Sequence, residues 1–153
     1  MRQIIYILLP AYNEEKNLIK IFKKIKTLTK LQKNIKVVLV DDFSSDNTER
    51  LSKKKYSFQL YYIRHKFNKG LSITMETGFR EILKRSNEKD IVITLDSDNT
   101  HPISIIPRMI KKIDKGSDIV IASRFVASSK ITGLTLWRHS LSIGAKYLFK
   151  LLH

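Results

Sequence analysis

The sequence of 153 residues contains no cysteine. Disulfide bonds and thiolate metal sites are therefore excluded, and any metal ion would have to bind through oxygen or histidine. A chain without cysteine also fits a reducing compartment, so we expect a cytoplasmic protein.

Long hydrophobic runs are missing as well. The apolar run at residues 4–9 is followed at once by Pro10, so it is too short for a signal sequence or a membrane span. Near the C-terminus, Arg138, Lys146 and Lys150 interrupt the apolar stretch, so no membrane span is predicted there.

The segment from about Leu134 is expected to be amphipathic, because Trp137, Leu141, Ala145 and Leu148 could share a face. Together with the basic surface it predicts peripheral association with the cytoplasmic face of a membrane, with the alternative that this apolar face only covers the sheet.

The chain also lacks the punctuation that marks other architectures. No Gly-x-Gly-x-x-Gly motif follows the first apolar run, which disfavours a dinucleotide-binding redox domain. No internal repeat, low-complexity tract or linker occurs. We predict a single domain over residues 1–153.

Acidic residues are scarce. There are 14 Asp and Glu against 29 Lys and Arg, which gives a net charge of +15. This excess favours a polyanionic partner such as nucleic acid, anionic lipid or a phosphorylated substrate. About half of it has a simpler explanation, because Lys16, Lys20, Lys23 and Lys24 would face water on an amphipathic helix.

A nucleic-acid-binding module is the alternative that the charge suggests. Such a module needs aromatic and basic residues interleaved on one surface. Only residues 56–66 have this pattern, and they fit a strand equally well. We expect no nucleic-acid partner.

Short apolar runs rich in β-branched residues alternate with longer segments of helical period. This alternation is typical of an α/β fold in which helices flank both faces of a mostly parallel sheet. We predict strands at residues 4–9, 35–40, 58–63, 91–95 and 119–122. Helices are predicted over the apolar repeat from Leu18 to Leu28 with Asn13 as its cap, near Ser45 or Asp46, after Gly70, after Pro102, and from about Leu134.

Carboxylates follow the predicted strands at the edge where α/β sheets bind ligands. Asp41 and Asp42 follow the second strand, and Asp96 and Asp98 follow the fourth. Because gathered like charges repel, we expect a cation or a donor-rich ligand among them. Asp-x-Asp alone is more often a turn, but its place after a strand favours a divalent cation bound to Asp96 and Asp98.

Two neighbouring segments have candidate roles in nucleotide binding. Ser45 and Asp46 fit a helix cap, whereas at least one of Asp41 and Asp42 is expected to contact a base or ribose. Lys69 and Gly70 precede a helix and are expected to guide a phosphate to its N-terminus.

Six motifs share an order and spacing with one enzyme family. They are Leu9-Pro10-Ala11-Tyr12-Asn13-Glu14-Glu15, Val40-Asp41-Asp42-Phe43-Ser44-Ser45-Asp46, Asn68-Lys69-Gly70, Leu95-Asp96-Ser97-Asp98, His101-Pro102 and Ala122-Ser123-Arg124-Phe125. Together they resemble glycosyltransferase family two, and within it the branch of dolichol-phosphate mannose synthases and polyprenyl-phosphate glycosyltransferases. The resemblance extends from about Ile4 to Leu148.

The resemblance implies a GT-A fold and a metal-dependent hexosyltransferase of mannose or glucose type that serves the cell envelope. The donor would be a GDP- or UDP-sugar, the cofactor Mg²⁺ or Mn²⁺, and the acceptor a polyprenyl phosphate at an anionic membrane surface. It places Pro10, Tyr12, Glu14 and Asp41 near the nucleotide, and Asp96 and Asp98 around the metal and diphosphate, with Asp98 the more direct ligand. It assigns the acceptor phosphate to Arg124, Arg138 and Ser142, the last two within the tract 137–145 that distinguishes the branch.

The chain departs from the family at three points. Phe43 replaces the usual glycine after the paired aspartates, and Asn99-Thr100 replaces an apolar residue followed by glutamine. Family members also continue into further sheet and membrane-associated segments. We therefore expect a C-terminally truncated domain, with an inactive nucleotide-binding homologue as the alternative.

The sequence offers no general base for a hydroxyl acceptor. After Asp98 the only acidic residues are Asp114, late in a predicted helix, and Asp118, at the wrong end of a predicted strand. A phosphate monoester is already ionised near neutrality because its second pKa is about 6. The missing base therefore agrees with a lipid-phosphate acceptor.

Overall fold

A computed structural model describes residues 3–32 and 34–123. The chain divides into two compact units, Met1–Gly116 and Ser117–His153. The described part of the second unit, residues 117–123, has no regular secondary structure. Whether the chain acts as one domain stays a prediction.

The first unit contains a parallel four-stranded sheet in the order β3-β2-β1-β4. The strands are β1 (Ile5–Ala11), β2 (Ile35–Asp41), β3 (Gln59–Arg64) and β4 (Ile91–Thr94). The helices are α1 (Glu15–Leu28), α2 (Thr48–Ser52), α3 (Leu71–Leu83) and α4 (Ile106–Ile113), with a 3₁₀ turn at Ile103–Ile105 before α4. These elements confirm the predicted α/β class, the first four predicted strands and the first four predicted helices.

Residues 119–122 do not form the predicted fifth strand. Ile119 and Ile121 are each 80% exposed, and no ladder in the described part of the chain includes them. An apolar run becomes a strand only where a neighbouring backbone accepts its hydrogen bonds, which its own sequence does not determine. The helix predicted from Leu134 lies outside the described residues.

Strand alternation divides the core between the two faces of the sheet. Odd-numbered residues of β1 pack with α1, α2 and α4, and the apolar repeat of α1 predicted from Leu18 to Leu28 is buried there. Even-numbered residues of β1 pack against α3. Every residue of β1 is buried, as expected for a strand covered on both faces.

Gly78 allows α3 to lie close to β1. A Cβ atom at this position would be 2.2 Å from Cδ1 of Leu8, a side chain with no exposed surface. Leu8 packs among the buried side chains of Tyr6, Val38, Val40 and Ile82 and has little room to move. The glycine therefore sets the distance between the helix and the sheet.

We expect Gly78→Ala to lower the free energy of unfolding by about 1–2 kcal/mol. Overpacking costs about 1–3 kcal/mol, and the better helix propensity of alanine returns up to about 1 kcal/mol. Urea denaturation measures the change, with Ser72→Ala on the exposed side of α3 as the control. If the cause is contact with Leu8, Gly78→Ala should cost less in a Leu8→Ala background, and an unchanged cost would contradict it.

Candidate active site

The candidate ligand crevice lies at the carboxyl end of β1, where the ladder with β4 ends earlier than the ladder with β2. β1 pairs with β2 as far as Ala11 and Asp41, but its ladder with β4 ends at Leu8 and Thr94. From β1 the chain first adds β2 and β3 on one side and then crosses over to add β4 on the other side, so the order of the strands reverses at β1. Parallel α/β sheets bind their ligands at this kind of reversal.

Asp41 lies at the end of β2 and has no exposed surface. One carboxylate oxygen accepts a hydrogen bond from the Ser44 backbone at 2.8 Å, and the other accepts one from the Tyr62 hydroxyl at 2.5 Å. Arg64 Nη1 is 3.5 Å from the second oxygen. The Asp41 carboxylate is therefore buried between the β2–α2 loop and β3 with both oxygens hydrogen-bonded, and its role in nucleotide binding stays a prediction.

Burial and the hydrogen bond to Asp41 both raise the pKa of Tyr62, which keeps this hydroxyl a donor at any physiological pH. Arg64 connects Asp41 and Tyr62 to the loop between β2 and α2 and to α2 itself. Its Nη2 donates to the Ser44 carbonyl at 2.8 Å and its Nη1 to Glu49 at 3.1 Å. One guanidinium thus connects β3, the β2–α2 loop and α2.

Asp42 is 4% exposed and binds the loop that precedes α3. Its Oδ1 accepts hydrogen bonds from His65 Nδ1 at 2.7 Å and from the Lys69 backbone at 2.9 Å, and its Oδ2 accepts one from the Gly70 backbone at 2.8 Å. Burial alone would raise the pKa of Asp42, but these hydrogen bonds outweigh it and hold the pKa below the usual range.

The bonds to Asp42 change the expectation for Lys69 and Gly70. Both backbone N–H groups already donate to a carboxylate, so this helix start does not present them to a phosphate. The Lys69 amine remains exposed, 5.3 Å from the centre of the Phe67 ring. Any role of Lys69 in phosphate binding would therefore belong to its side chain.

The loops after β1 and β2 are bonded to each other. Asn13 accepts a hydrogen bond from the Ser45 backbone at 2.8 Å, and Ser44 Oγ accepts one from the Asn13 backbone at 2.9 Å. Asp46 caps two helices, because its oxygens accept from Glu15 and Thr48 backbone N–H groups at 2.9 Å each. The cap role predicted for Asp46 is confirmed, but the one predicted for Ser45 is wrong, because the Ser45 N–H and hydroxyl both donate to Asn13. Asn13 does not cap α1 as predicted either, because its side-chain oxygen accepts these two bonds.

Asp96 and Asp98 are the two exposed carboxylates of the predicted four. The Thr100 backbone and hydroxyl both donate to Asp98 Oδ1, at 2.9 and 2.7 Å. His101 Nδ1 accepts from the Asp96 backbone at 3.3 Å, and its Nε2 lies 3.8 Å from Asp96 Oδ2. Asn99 has φ +64°, a conformation that asparagine tolerates, and Lys24 Nζ contacts its side chain at 2.7 Å.

The carboxylate oxygens of Asp96 and Asp98 are the kind of ligand that Mg²⁺ and Mn²⁺ prefer. Among residues 3–32 and 34–123 there is no group of three or more His, Asp or Glu side chains that could hold a metal ion by itself. Mg²⁺ usually binds one or two protein carboxylates and completes its shell with substrate phosphates and water. Two exposed aspartates on one short loop therefore fit a cation that arrives with a diphosphate.

The remaining predicted site residues occupy different environments. Pro10 is buried within β1, whereas Tyr12 is 52% exposed on the loop after it. Glu14 is partly exposed and accepts a hydrogen bond from the Asn17 side chain at 2.8 Å. Arg124, Arg138 and Ser142 lie outside the described residues.

Sequence reasoning missed the residues that hold these loops in place. Tyr62, Arg64 and His65 lie at the end of β3, which carried no prediction of a site. The signal available was a cluster of polar side chains, Arg64 and His65, directly after an apolar strand. His101 was recognised only as part of a motif, although its ring contacts the backbone of Asp96.

The chain belongs to glycosyltransferase family 2, because residues 6–151 match the sequence model of that family. It is similar to the dolichol-phosphate mannosyltransferase of Pyrococcus furiosus, with 34% identity over 140 residues that cover 91% of this chain and 38% of that protein. It is also similar to an undecaprenyl-phosphate 4-deoxy-4-formamido-L-arabinose transferase of Proteus mirabilis, with 30% identity over 74% of this chain and 35% of that protein. The chain therefore spans less than half the length of either relative.

Solved structures share the fold at lower identity. Staphylococcus aureus TarS, residues 1–349 with UDP, matches 72% of this chain and 32% of its own with a TM-score of 0.54 and 21% identity. Glucosyl-3-phosphoglycerate synthase from Mycobacterium tuberculosis, with Mn²⁺, UDP and glucosyl-3-phosphoglycerate, matches 72% of this chain and 39% of its own with a TM-score of 0.52 and 22% identity. These likenesses confirm the predicted GT-A fold.

None of the helices in the described part of the chain combines the length and hydrophobicity needed to cross a bilayer.

We expect Asp42→Asn to lower the free energy of unfolding by about 1–3 kcal/mol, because one amide –NH₂ must then face a backbone N–H donor. Both Asp42 oxygens accept from backbone, so neither rotamer of asparagine avoids the conflict. The exposed Asp114→Asn removes the same charge and should change stability little.

The pH dependence of the free energy of unfolding tests the same Asp42 hydrogen bonds in a second way. Because the pKa of Asp42 is lower in the folded protein, its contribution is complete above the unfolded carboxyl pKa of about 3.9 and is lost as pH falls through the lowered value. The difference between wild type and Asp42→Asn should therefore be constant near neutral pH and shrink in acid. A difference that is the same in acid would contradict this role.

Proposed function

We propose that this chain is the donor-binding part of a glycosyltransferase that moves a hexosyl group from a GDP- or UDP-sugar to a polyprenyl phosphate at a membrane surface. The observation that carries the proposal is the exposed pair Asp96 and Asp98 on the loop after β4, beside the early end of the β1–β4 ladder. The phosphate-linked polyprenols in the names of the two curated relatives support the acceptor class.

Asp96 and Asp98 would hold Mg²⁺ or Mn²⁺ together with the donor diphosphate. When bound, the cation neutralises charge that builds up on the leaving diphosphate. Thr100 fixes Asp98 Oδ1 through two hydrogen bonds, so this carboxylate is oriented before a ligand arrives. Tyr12 and Glu14 lie on the β1 side of the crevice and would contact the nucleotide.

We propose an acceptor that is already ionised. A hydroxyl acceptor would need a base at the crevice, and the Asp114 carboxylate follows the far end of α4, about 12 Å of helix away from its start. A phosphate oxygen needs no deprotonation above its second pKa of about 6. Arg124, Arg138 and Ser142 would bind that phosphate, since an arginine fork matches phosphate oxygens and stays charged.

Unpaired basic residues support the membrane as the place of reaction. Helices α1 and α4 lie on the same face of the sheet. Their exposed basic residues are Lys16, Lys20, Lys23, Lys24, Lys26, Arg108, Lys111 and Lys112. No carboxylate in the described part of the chain forms an ion pair with any of them. On the opposite face, α3 pairs Arg80 with Glu76, and Lys84 and Arg85 with Glu81. We propose that the α1/α4 face attracts anionic lipid and that the chain is peripheral to the membrane.

We expect Asp98→Asn to abolish the metal-dependent part of donor affinity. Calorimetry with GDP-mannose and UDP-glucose, in Mg²⁺, Mn²⁺ or EDTA, should give a gain of about tenfold or more with metal for wild type and none for the variant. Asp114→Asn removes the same charge and should keep the gain. An unchanged metal-dependent gain in Asp98→Asn would rule out this site.

Arg138→Ala tests the acceptor separately. Loss of a charge-assisted hydrogen bond of about 1.5–3 kcal/mol should raise the KM for a short-chain polyprenyl phosphate about 10- to 150-fold, with donor affinity nearly unchanged. Transfer is measured with a radiolabelled sugar. Equal losses for both substrates, or none, would contradict an acceptor role, and donor binding without any transfer by wild type would favour the inactive homologue.

Vesicle sedimentation tests the basic face. Lys23→Gln with Lys112→Gln should weaken binding to phosphatidylglycerol vesicles about tenfold or more, since each lysine near such a surface contributes about 1 kcal/mol. Arg80→Gln with Lys84→Gln on α3 removes the same charge and should have a smaller effect. Equal effects of the two pairs, or equal binding to neutral vesicles, would contradict the proposal, and tighter binding to duplex DNA would favour the nucleic-acid alternative.

A further inference from the structure

Phe43 has a backbone conformation that its side chain disfavours. It stands between the buried residues Asp42 and Ser44 with φ +69°, in the left-handed region that normally selects glycine. A β-carbon there crowds the following carbonyl, so phenylalanine costs folding free energy that glycine would not. A residue kept in this conformation against its own preference suggests a role for its side chain.

The backbone around Phe43 is fixed by hydrogen bonds on both sides. The Asp42 N–H donates to the Ala11 carbonyl at 2.8 Å, the Ser44 N–H donates to Asp41, and the Ser44 carbonyl accepts from Arg64 Nη2 at 2.8 Å. These contacts fix the residues before and after Phe43. The backbone position from which the phenyl ring projects is therefore set by the fold before any ligand binds.

The ring itself is only half buried. Phe43 is 48% exposed, and the Arg64 guanidinium carbon lies 5.6 Å from the ring centre, within the range of a cation–π contact. Arg64 is in turn bonded to the Ser44 carbonyl and to Glu49, so it supports the ring from a fixed position. An aromatic ring held this way presents a flat apolar surface to solvent.

A second exposed aromatic ring lies on the neighbouring loop. Tyr12 follows β1, Phe43 follows β2, and the two strands are paired to their ends. The two loops are bonded to each other by Asn13 and Ser44 at 2.9 Å. The loops after β1 and β2 therefore each carry an exposed ring, whereas the exposed carboxylates Asp96 and Asp98 follow β4 on the other side of β1.

We propose that Phe43 is a stacking residue for the base of the nucleotide donor. This inference rests on the proposed function and assigns the base to the β1–β2 side of the crevice, with the diphosphate toward Asp96 and Asp98. A π-face stacks on any base with little selectivity, which suits a purine as well as a pyrimidine nucleotide. The side chain of Phe43 thus has a use that explains why the strained position does not hold glycine.

Two substitutions separate stacking from backbone conformation. Phe43→Gly removes the ring and relieves the left-handed strain, so its Tm should equal or exceed that of wild type. Phe43→Tyr keeps both the ring and the strain. Binding of GDP, UDP and inorganic pyrophosphate, each with Mg²⁺ or Mn²⁺, is measured by calorimetry for all three proteins.

We expect Phe43→Gly to weaken GDP and UDP about 5- to 100-fold, which is the range for loss of one base–aromatic stack, and to leave pyrophosphate unchanged. Phe43→Tyr should bind all three ligands as wild type does. Unchanged nucleotide affinity in Phe43→Gly would overturn this inference and leave the proposed function intact. An equal loss for pyrophosphate would also overturn it, since the loop rather than the stack would then be responsible, and a wild type that binds no nucleotide would overturn both.

Discussion

Burying Asp41 and Asp42 at the end of β2 costs free energy unless each oxygen finds a hydrogen-bond donor, and the surrounding loops supply those donors. Asp41 is satisfied by Ser44, Tyr62 and Arg64, and Asp42 by His65, Lys69 and Gly70. Through these bonds β3, the β2–α2 loop and the start of α3 all depend on two side chains. Removing either carboxylate would leave several buried donors unpaired, which is costlier than losing a surface charge.

The buried pair also determines which carboxylates remain for a ligand. Four carboxylates crowded at one edge would repel one another, but Asp41 and Asp42 are stabilised within the protein by hydrogen-bond donors, and Arg64 lies 3.5 Å from Asp41. Asp96 and Asp98 are left exposed with few partners of their own. The site is thus divided into a rigid part that holds the loops and an accessible part that can bind a cation.

Much of the fold followed from local patterns in the sequence. The apolar repeat of α1 and the runs of β1 and β2 predicted their elements to within one or two residues, because each pattern matches one geometry. The fifth strand was wrong, since strand formation depends on a partner that the run itself does not specify. The Asp96–Asp98 loop was foreseen by position, and its metal role stays a proposal. The role of Asp42 could not be foreseen, because its donors lie 23, 27 and 28 residues further along the chain and no local spacing relates them.

The early end of the β1–β4 ladder explains how a proline fits inside a central strand. Alternate residues of a parallel strand direct their backbone groups to opposite neighbours. The Ala11 carbonyl bonds toward β2 and the Leu8 carbonyl bonds toward Leu95, so the backbone of Pro10 faces the β4 side, beyond the last bond of that ladder. The missing N–H of Pro10 therefore costs no sheet hydrogen bond. A proline can therefore stand in a strand that is buried on both faces without leaving a partner group unpaired in the sheet.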